Sequence, residues 1–175
     1  LKIKFSNKIR SSQIIDDPFD HLYIKNFFED SFYNEIQENI PNINNFDKIV
    51  DTGTVSKNYS PERYIFSLQQ NMDKIPKKQK DFWNQINNGF LSKDFLDATS
   101  EKFSETLKER FENLTKGEEE ILGKQPKISC RTALIKDFTQ YQLGAHTDSI
   151  SKIFSFLFYL PSDNKLKNIG TSLYQ

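Results

Sequence analysis

The spacing of hydrophobic residues changes along the chain, predicting helices in the middle and strands toward the end. Between residues 77 and 114 apolar residues recur every three to four positions, the period of an amphipathic helix. This period predicts a helix over residues 77–88, stopped by Gly89, and a longer helix over residues 92–114, capped by Ser92. The longer helix carries an apolar stripe typical of a helix that lies on a sheet. The stripe consists of Phe95, Leu96, Thr99, Phe103, Leu107, Phe111 and Leu114.

Shorter elements are predicted upstream of these helices. The first dozen residues are polar and basic, with at most one short strand, whereas residues 19–27 read as a strand. A helix over residues 31–40 follows and is ended by the proline after it. Residues 42–61 are rich in Asn, Asp, Gly, Ser and Thr, which predicts a long loop with a short strand near Ile49. Residues 64–68 are predicted to form another short strand.

From Lys127 onward the pattern has a period of two, which is the period of a strand. Residues 128–138 alternate in this way, after a stretch over residues 117–123 that is predicted to be an acidic turn. Three further strands are predicted at the segment around His146, at residues 153–160 and at residues 170–174. Helices followed by strands indicate an α+β chain with an antiparallel sheet or barrel in its C-terminal part.

Composition narrows the class of protein. The chain has 175 residues, enough for one domain with a substantial core, and no apolar run long enough to span a bilayer. Its 24 Lys and Arg balance its 24 Asp and Glu, which argues against nucleic acid or an anionic membrane as a partner. The single cysteine, Cys130, excludes an internal disulfide and a cysteine-based metal site, and we expect a cytoplasmic setting. The chain begins at Leu1 and stops inside a predicted strand, so we expect a fragment.

The most chemically specific stretch is His146-Thr-Asp148. On an extended backbone, residues two apart project to the same face, so an imidazole nitrogen and a carboxylate oxygen converge on one point. Such a point suits a divalent metal such as Fe(II). Taken alone, the pair is also what a surface histidine beside a turn-forming aspartate looks like, and the surrounding sequence decides between the two interpretations.

The order of the surrounding motifs resembles the Fe(II)- and 2-oxoglutarate-dependent dioxygenases, most closely the prolyl 4-hydroxylase-like branch. The motifs are Tyr141 and Gly144, His146 and Asp148, an aromatic strand ending in Tyr159-Leu160, and Gly170-Thr-Ser-Leu-Tyr174. Ile169-Gly170 stands where the family usually has Gly-Gly. The stretch from Pro18 to Phe28 also resembles the opening strand of this branch.

The resemblance implies a single oxygenase-like domain over residues 1–175. Its fold would be α+β, with a double-stranded β-helix (jelly-roll) core that is incomplete here. An N-terminal strand and supporting α-helices would occupy residues 14–116, and the start of the jelly-roll core residues 126–175. The loop over residues 42–61 is then a candidate lid, with a surface loop as the alternative.

The resemblance also implies roles for individual residues. His146 and Asp148 match the first two iron ligands of the family. Tyr141 and Tyr159 match tyrosines that line the 2-oxoglutarate pocket, with ordinary aromatic packing as the alternative for both. Arg131 is a candidate partner for the cosubstrate carboxylate, with a surface arginine as the alternative. The implied cofactors are Fe(II) and 2-oxoglutarate, with ascorbate as an optional reductant, and the substrate cannot be read from the sequence.

One departure from the family limits what this chain is expected to do. The family's second metal-binding histidine, and the basic residue that clamps 2-oxoglutarate, lie well downstream of His-x-Asp. No histidine follows Asp148, and the other histidine, His21, stands where the family places no ligand. We therefore expect no turnover of 2-oxoglutarate by this chain alone. The alternatives are a non-catalytic jelly-roll binding module with a vestigial His-x-Asp pair and a cupin-type enzyme, which would need several clustered histidines.

Overall fold

Helices and one small antiparallel sheet make up the structure, so the chain is α+β as predicted. The computed structural model describes residues 4–55, 59–60, 62–123, 129–138, 144–163, 165 and 170–174. The helices in these ranges are α1 (Ser6–Ser11), α2 (Asp30–Asn39), α3 (Lys77–Phe90), α4 (Lys93–Lys102), α5 (Ser104–Glu112) and α6 (Lys116–Leu122). The strands are β1 (Asp47–Lys48), β2 (Arg63–Ser67) and β3 (Ala133–Asp137).

The chain divides into two compact units, a sheet unit and a helical unit. The sheet unit comprises Leu1–Lys4, Glu38–Ser92 and Ser129–Gly144. The helical unit comprises Phe5–Gln37, Lys93–Ile128 and Ala145–Gln175. Among the described residues, no helix has the length and apolar content to cross a membrane.

The sheet unit is built around β2, which pairs antiparallel with β1 on one side and β3 on the other. Phe66 in this strand is completely buried, and its ring packs on that of Phe46 with a centroid distance of 5.6 Å. At one end Arg63 lies directly opposite Asp137 and donates two hydrogen bonds of 2.7 Å to its carboxylate, a bidentate pair that fixes the register. The strand predicted at residues 64–68 is therefore confirmed as β2, and the one predicted at residues 128–138 is confirmed over its second half, as β3.

Helix α3 supplies the other half of the core of the sheet unit. Trp83, Ile86 and Phe90 follow the helical period and are buried. The indole nitrogen of Trp83 donates a 2.7 Å hydrogen bond to the carbonyl of Asn39, so the polar atom of this buried ring has a partner. The helix runs one residue beyond Gly89, the predicted stop, because the buried side chain of Phe90 continues the apolar face.

The helical unit begins with α1, a helix where the sequence predicted a polar lead-in with at most one strand. Ile9 of α1 and Phe95 and Ala98 of α4 are buried, and the two helices pack against each other. Ser6 donates a hydrogen bond to Asp94, and Arg10 donates to the same carboxylate at 3.0 Å. The prediction was wrong because a helix this short derives its stability from packing against α4, which local sequence does not reveal.

The predicted single helix over residues 92–114 is two helices, α4 and α5. Phe103 between them has non-helical angles (φ −106°, ψ 28°), and its ring packs on Phe154 at 5.5 Å. The apolar period continues across the break, so the period alone does not detect one non-helical residue. The predicted acidic turn over residues 117–123 is also wrong, since α6 forms there behind a capping box of Thr115 and Glu118.

The predicted strands of the N-terminal and C-terminal parts are not formed by the described residues. Residues 19–27 contribute only His21, in an isolated bridge to Ile15. Residues 144–163 and 170–174 contain no strand. The strand predicted near Ile49 lies two residues earlier, as β1. A strand needs a hydrogen-bonded neighbour as well as an alternating pattern, and apart from the bridge at His21 the described residues provide no such neighbour for the N-terminal and C-terminal segments. The jelly-roll core stays a prediction.

Candidate functional site

His146 and Asp148 come close together in the helical unit, as their spacing predicted. The His146 Nε2 atom is 3.9 Å from the Asp148 Oδ1 atom, and the two side chains are 50% and 41% exposed. With ligand bonds of about 2.1 Å, two neighbouring donors of one ion lie about 3.0 Å apart in an octahedral site and about 3.4 Å apart in a tetrahedral one, so the two side chains would have to close by about 0.5–1 Å to share an ion. An imidazole and a carboxylate are donors that Fe(II) and other divalent transition metals accept.

The carboxylate of Asp148 is held by two neighbours in sequence. Lys152 Nζ donates to Oδ1 at 2.8 Å, and Ser155 Oγ donates to Oδ2 at 2.8 Å. The hydrogen bond from Lys152 is the main reason that the pKa of Asp148 is lowered, and it outweighs the opposing effect of partial burial, with Ser155 adding to it. Asp148 is therefore ionised at neutral pH, the form in which a carboxylate binds a metal.

A turn between Asp148 and Ser155 creates this arrangement. The backbone N–H of Lys152 donates to the carbonyl of Ser149 at 2.8 Å, which brings residue 152 back over Asp148. The guanidinium of Arg110 on α5 donates to the carbonyl of Ile150 at 2.8 Å and to that of Ile153 at 3.4 Å. Arg110 thus anchors the turn to a helix, so that the site does not depend on the turn alone.

The segment after the turn, residues 153–160, packs on phenylalanines of the helical unit through every second side chain. Its phenylalanines make ring contacts of 4.9–5.5 Å in the helical unit. The contacts are Phe154 with Phe103, Phe156 with Phe95, and Phe158 with Phe27 and Phe28. The intervening Leu157 and Tyr159 are 63% and 56% exposed. The alternation predicted from the sequence is therefore present, although the segment has no strand partner among the described residues.

The other predicted site residues are placed differently. Tyr159 lies in the helical unit, where its hydroxyl shares a hydrogen bond with the hydroxyl of Thr171. Arg131 is an exposed residue of the sheet unit, just before β3. Tyr141 lies outside the described residues. His21 donates from Nδ1 to the carbonyl of Phe19 at 2.7 Å, a local bond that needs no metal.

The donor set of the site consists of two protein side chains. Among the described ranges, no group of three or more His, Cys, Asp and Glu residues is arranged to hold a metal ion. His146 and Asp148 fit a divalent metal by the chemistry of their donors, their exposed side chains would have to approach each other by up to about 1 Å to share it, and they leave its remaining coordination positions to other ligands.

Sequence reasoning missed Lys152, Ser155 and Arg110 as residues that shape the site. Lys152 had a signal, because an aspartate followed four residues later by a lysine is a spacing that forms ion pairs in helical turns. Ser155 and Arg110 had none, since their contacts depend on how the turn lies.

No protein-family model, curated protein or solved structure matches the chain. The observations that bear on function are therefore the geometry of the site and the resemblance of its motifs.

Proposed function

We propose that this chain carries part of the iron site of a 2-oxoglutarate-dependent oxygenase, an enzyme that hydroxylates a substrate of unknown class. The observation that carries the proposal is the approach of His146 Nε2 to Asp148 Oδ1 at 3.9 Å, on an accessible turn before an alternating aromatic segment. Both donors are in the order and spacing of the family motif. The proposal includes a cytoplasmic location and a jelly-roll core in which residues 153–160 are a strand.

The packing of residues 153–160 supports that part of the proposal. Side chains on one face of the segment contact phenylalanine rings of the helical unit, and Leu157 and Tyr159 on the other face are exposed, as in a sheet strand packed on one side only. A polar turn that leads into such a segment is where a barrel enzyme presents ligands at its mouth.

In this proposal His146 and Asp148 hold Fe(II), and Asp148 also neutralises part of its charge. Bound iron, together with 2-oxoglutarate, supplies the activation of dioxygen that hydroxylation requires. Ser155 orients the carboxylate of Asp148 through its 2.8 Å bond to Oδ2, which leaves Oδ1 on the side of His146. Tyr159, Arg131 and Tyr141 are the candidate partners of the cosubstrate carboxylate.

One observation favours a second candidate function, a non-catalytic binding module. Both oxygens of Asp148 already have hydrogen-bond donors, in Lys152 and Ser155, and these bonds stabilise the turn without a metal. In this case His-x-Asp is a structural pair whose resemblance to a metal site is vestigial.

Metal titration separates the two functions. We expect the wild-type chain to bind Fe(II) under anaerobic conditions, and Mn(II) as a redox-stable probe, with a stoichiometry of one. Asp148→Ala and His146→Ala should each weaken this binding at least about tenfold, because each removes a ligand. Asp163→Ala is the matched control, since Asp163 is an accessible aspartate that pairs with Lys165 at 3.3 Å.

The outcome that would remove the oxygenase proposal is equal metal affinity in the wild type, Asp148→Ala and His146→Ala. Circular dichroism and the urea midpoint of each variant establish that lost binding does not reflect lost folding. If the pair is vestigial, Asp148→Ala should lower the urea midpoint and leave the metal affinity unchanged.

A further inference from the structure

The carboxylate of Asp148 has a different neighbour at each oxygen. Ser155 donates to Oδ2, while Lys152 donates to Oδ1 at 2.8 Å. Oδ1 is also the oxygen that lies 3.9 Å from His146 Nε2. The ammonium group of Lys152 therefore binds the same oxygen that would share a metal with His146.

A lysine ammonium and a divalent cation would both bind this oxygen, so two positive charges meet there. A metal ion that binds His146 and Asp148 Oδ1 meets the Lys152 ammonium within ordinary bonding distance of that oxygen. Repulsion between the two cations at such a distance favours departure of the ammonium, because the metal ion would be held by His146 as well. Ser155 is neutral and binds Oδ2, so it does not have to move.

Lys152 is suited to leave. Its side chain is 56% exposed, so it lies next to water, and its flexible four-carbon stem can move the ammonium away without disturbing the backbone turn. Exposed lysine–aspartate pairs stabilise proteins by about 0.2–1 kcal/mol, which is small beside the free energy of metal binding.

We propose that Lys152 is an exchangeable occupant of the metal-binding oxygen of Asp148, present in the metal-free chain and displaced when a divalent cation binds. This inference rests on the proposed metal site and adds a residue that regulates its affinity. Lys152 keeps the carboxylate oriented and prevents it from binding stray donors, and its displacement reduces the net affinity for metal.

The test is to remove the ammonium while retaining the stem. Lys152→Met should bind Mn(II) about two- to fivefold more tightly than the wild type, the factor that corresponds to the strength of an exposed ion pair. Lys152→Arg, which retains a cation, should bind with an affinity near that of the wild type. Lys165→Met is the matched control and should leave Mn(II) affinity unchanged, because Lys165 pairs with Asp163 instead.

A second measurement follows the lysine directly. Lysines dimethylated with 13C give separate NMR signals. The signal of Lys152 is identified as the one that is present in the wild type and absent from Lys152→Met. Addition of Zn(II), which is diamagnetic, should shift this signal toward the position of a solvent-exposed lysine. The signal of Lys165, identified in the same way, should stay in place.

Failure of this inference and failure of the proposed function give different results. If Asp148→Ala and His146→Ala lose Mn(II) binding while Lys152→Met binds no more tightly than the wild type, Lys152 is not a competitor and only the present inference is overturned. If Asp148→Ala and His146→Ala bind as the wild type does, or if no chain binds metal, the site itself is absent and both proposals are overturned.

Discussion

Strand β2 and residues 153–160 are both rich in aromatic and aliphatic side chains, yet they form different structures. In β2 the backbone pairs with β1 and β3, and Phe66 is completely buried. Residues 153–160 have no strand partner among the described residues, although alternate side chains pack on phenylalanines of the helical unit. An alternating pattern therefore determines which side chains are covered, whereas a strand also requires another segment to bind its backbone.

Side chains take over part of the role of a neighbouring strand in residues 153–160. Arg110 binds the carbonyl of Ile153, and Gln37 donates to the carbonyl of Leu160 at 3.2 Å. Tyr33 donates to the carbonyl of Pro161 at 2.6 Å. These contacts lie at the two ends of the segment and fix its course at those points. The segment is thus held at its ends by polar bonds and in its middle by aromatic packing.

Hydrogen exchange should show the largest contrast between the two regions. Every residue of β2 has a partner in β3, and Tyr64 and Ile65 also have one in β1, so we expect residues 63–67 to exchange at least about a hundredfold more slowly than residues 155–159. Exchange mass spectrometry with overlapping peptides measures the difference. Comparable protection in both regions would break the comparison and would support the proposed strand at residues 153–160.

Truncation of single phenylalanines should show the next largest contrast. Phe66→Ala removes a completely buried ring and should reduce the free energy of unfolding by about 3–5 kcal/mol. Phe156→Ala is the matched control, because its ring is 40% exposed, and should cost only about 1–2 kcal/mol. Urea denaturation at 25 °C measures both. Equal losses would mean that residues 153–160 contribute as much to the core as β2 does.

The smallest contrast between the two regions should appear in the pH dependence of stability, to which each region contributes one aspartate. Asp47 on β1 accepts hydrogen bonds of 2.7 Å from Lys74 and Asn71, which lower its pKa, and Asn71 accepts from the backbone of Ser67 in β2. The pKa of Asp148 is lowered chiefly by Lys152. A carboxylate with a depressed pKa stabilises the fold above its unfolded pKa of about 4, and this stabilisation is lost as pH falls through the folded value.

Asp47→Asn and Asp148→Asn should therefore each destabilise the chain at pH 7 by less than about 1 kcal/mol, with the difference from wild type shrinking below pH 4. Asp47→Asn should have the larger effect, because its partner Asn71 is buried and joins β1 to β2. Urea midpoints at pH 7 and pH 3 measure the effect. A difference that persists unchanged at pH 3 would show that charge is not its cause.

Local signals predicted some elements correctly and missed others for physical reasons. Helix α3 has a strong apolar period, and β2 is a short aromatic run, so both were recognised. Helix α1 was missed because six residues are helical only when packed. Helix α6 was missed although its Thr115–Glu118 capping box is visible in the sequence, because a short acidic stretch between two glycines is also typical of a turn.

At the candidate site, too, one prediction was correct and another was wrong. The spacing of His146 and Asp148 predicted their approach, and the structure brings their atoms to 3.9 Å. The prediction that they lie on a strand was wrong, since the described residues around them form a turn and an extended segment without pairing. The approach does not depend on the strand, because two side chains separated by one residue are near each other in many extended conformations.

The sequence by itself determined which faces are apolar, where the main helices and the strands β2 and β3 run, and which two side chains present an imidazole and a carboxylate together. These properties depend on neighbours a few residues apart, which the sequence states directly. Only the tertiary structure decided that Lys152 and Ser155 bind Asp148, that Arg110 anchors their turn, and that residues 153–160 pack on phenylalanines of the helical unit. Those outcomes depend on which distant groups meet, and a local pattern carries no information about distant partners.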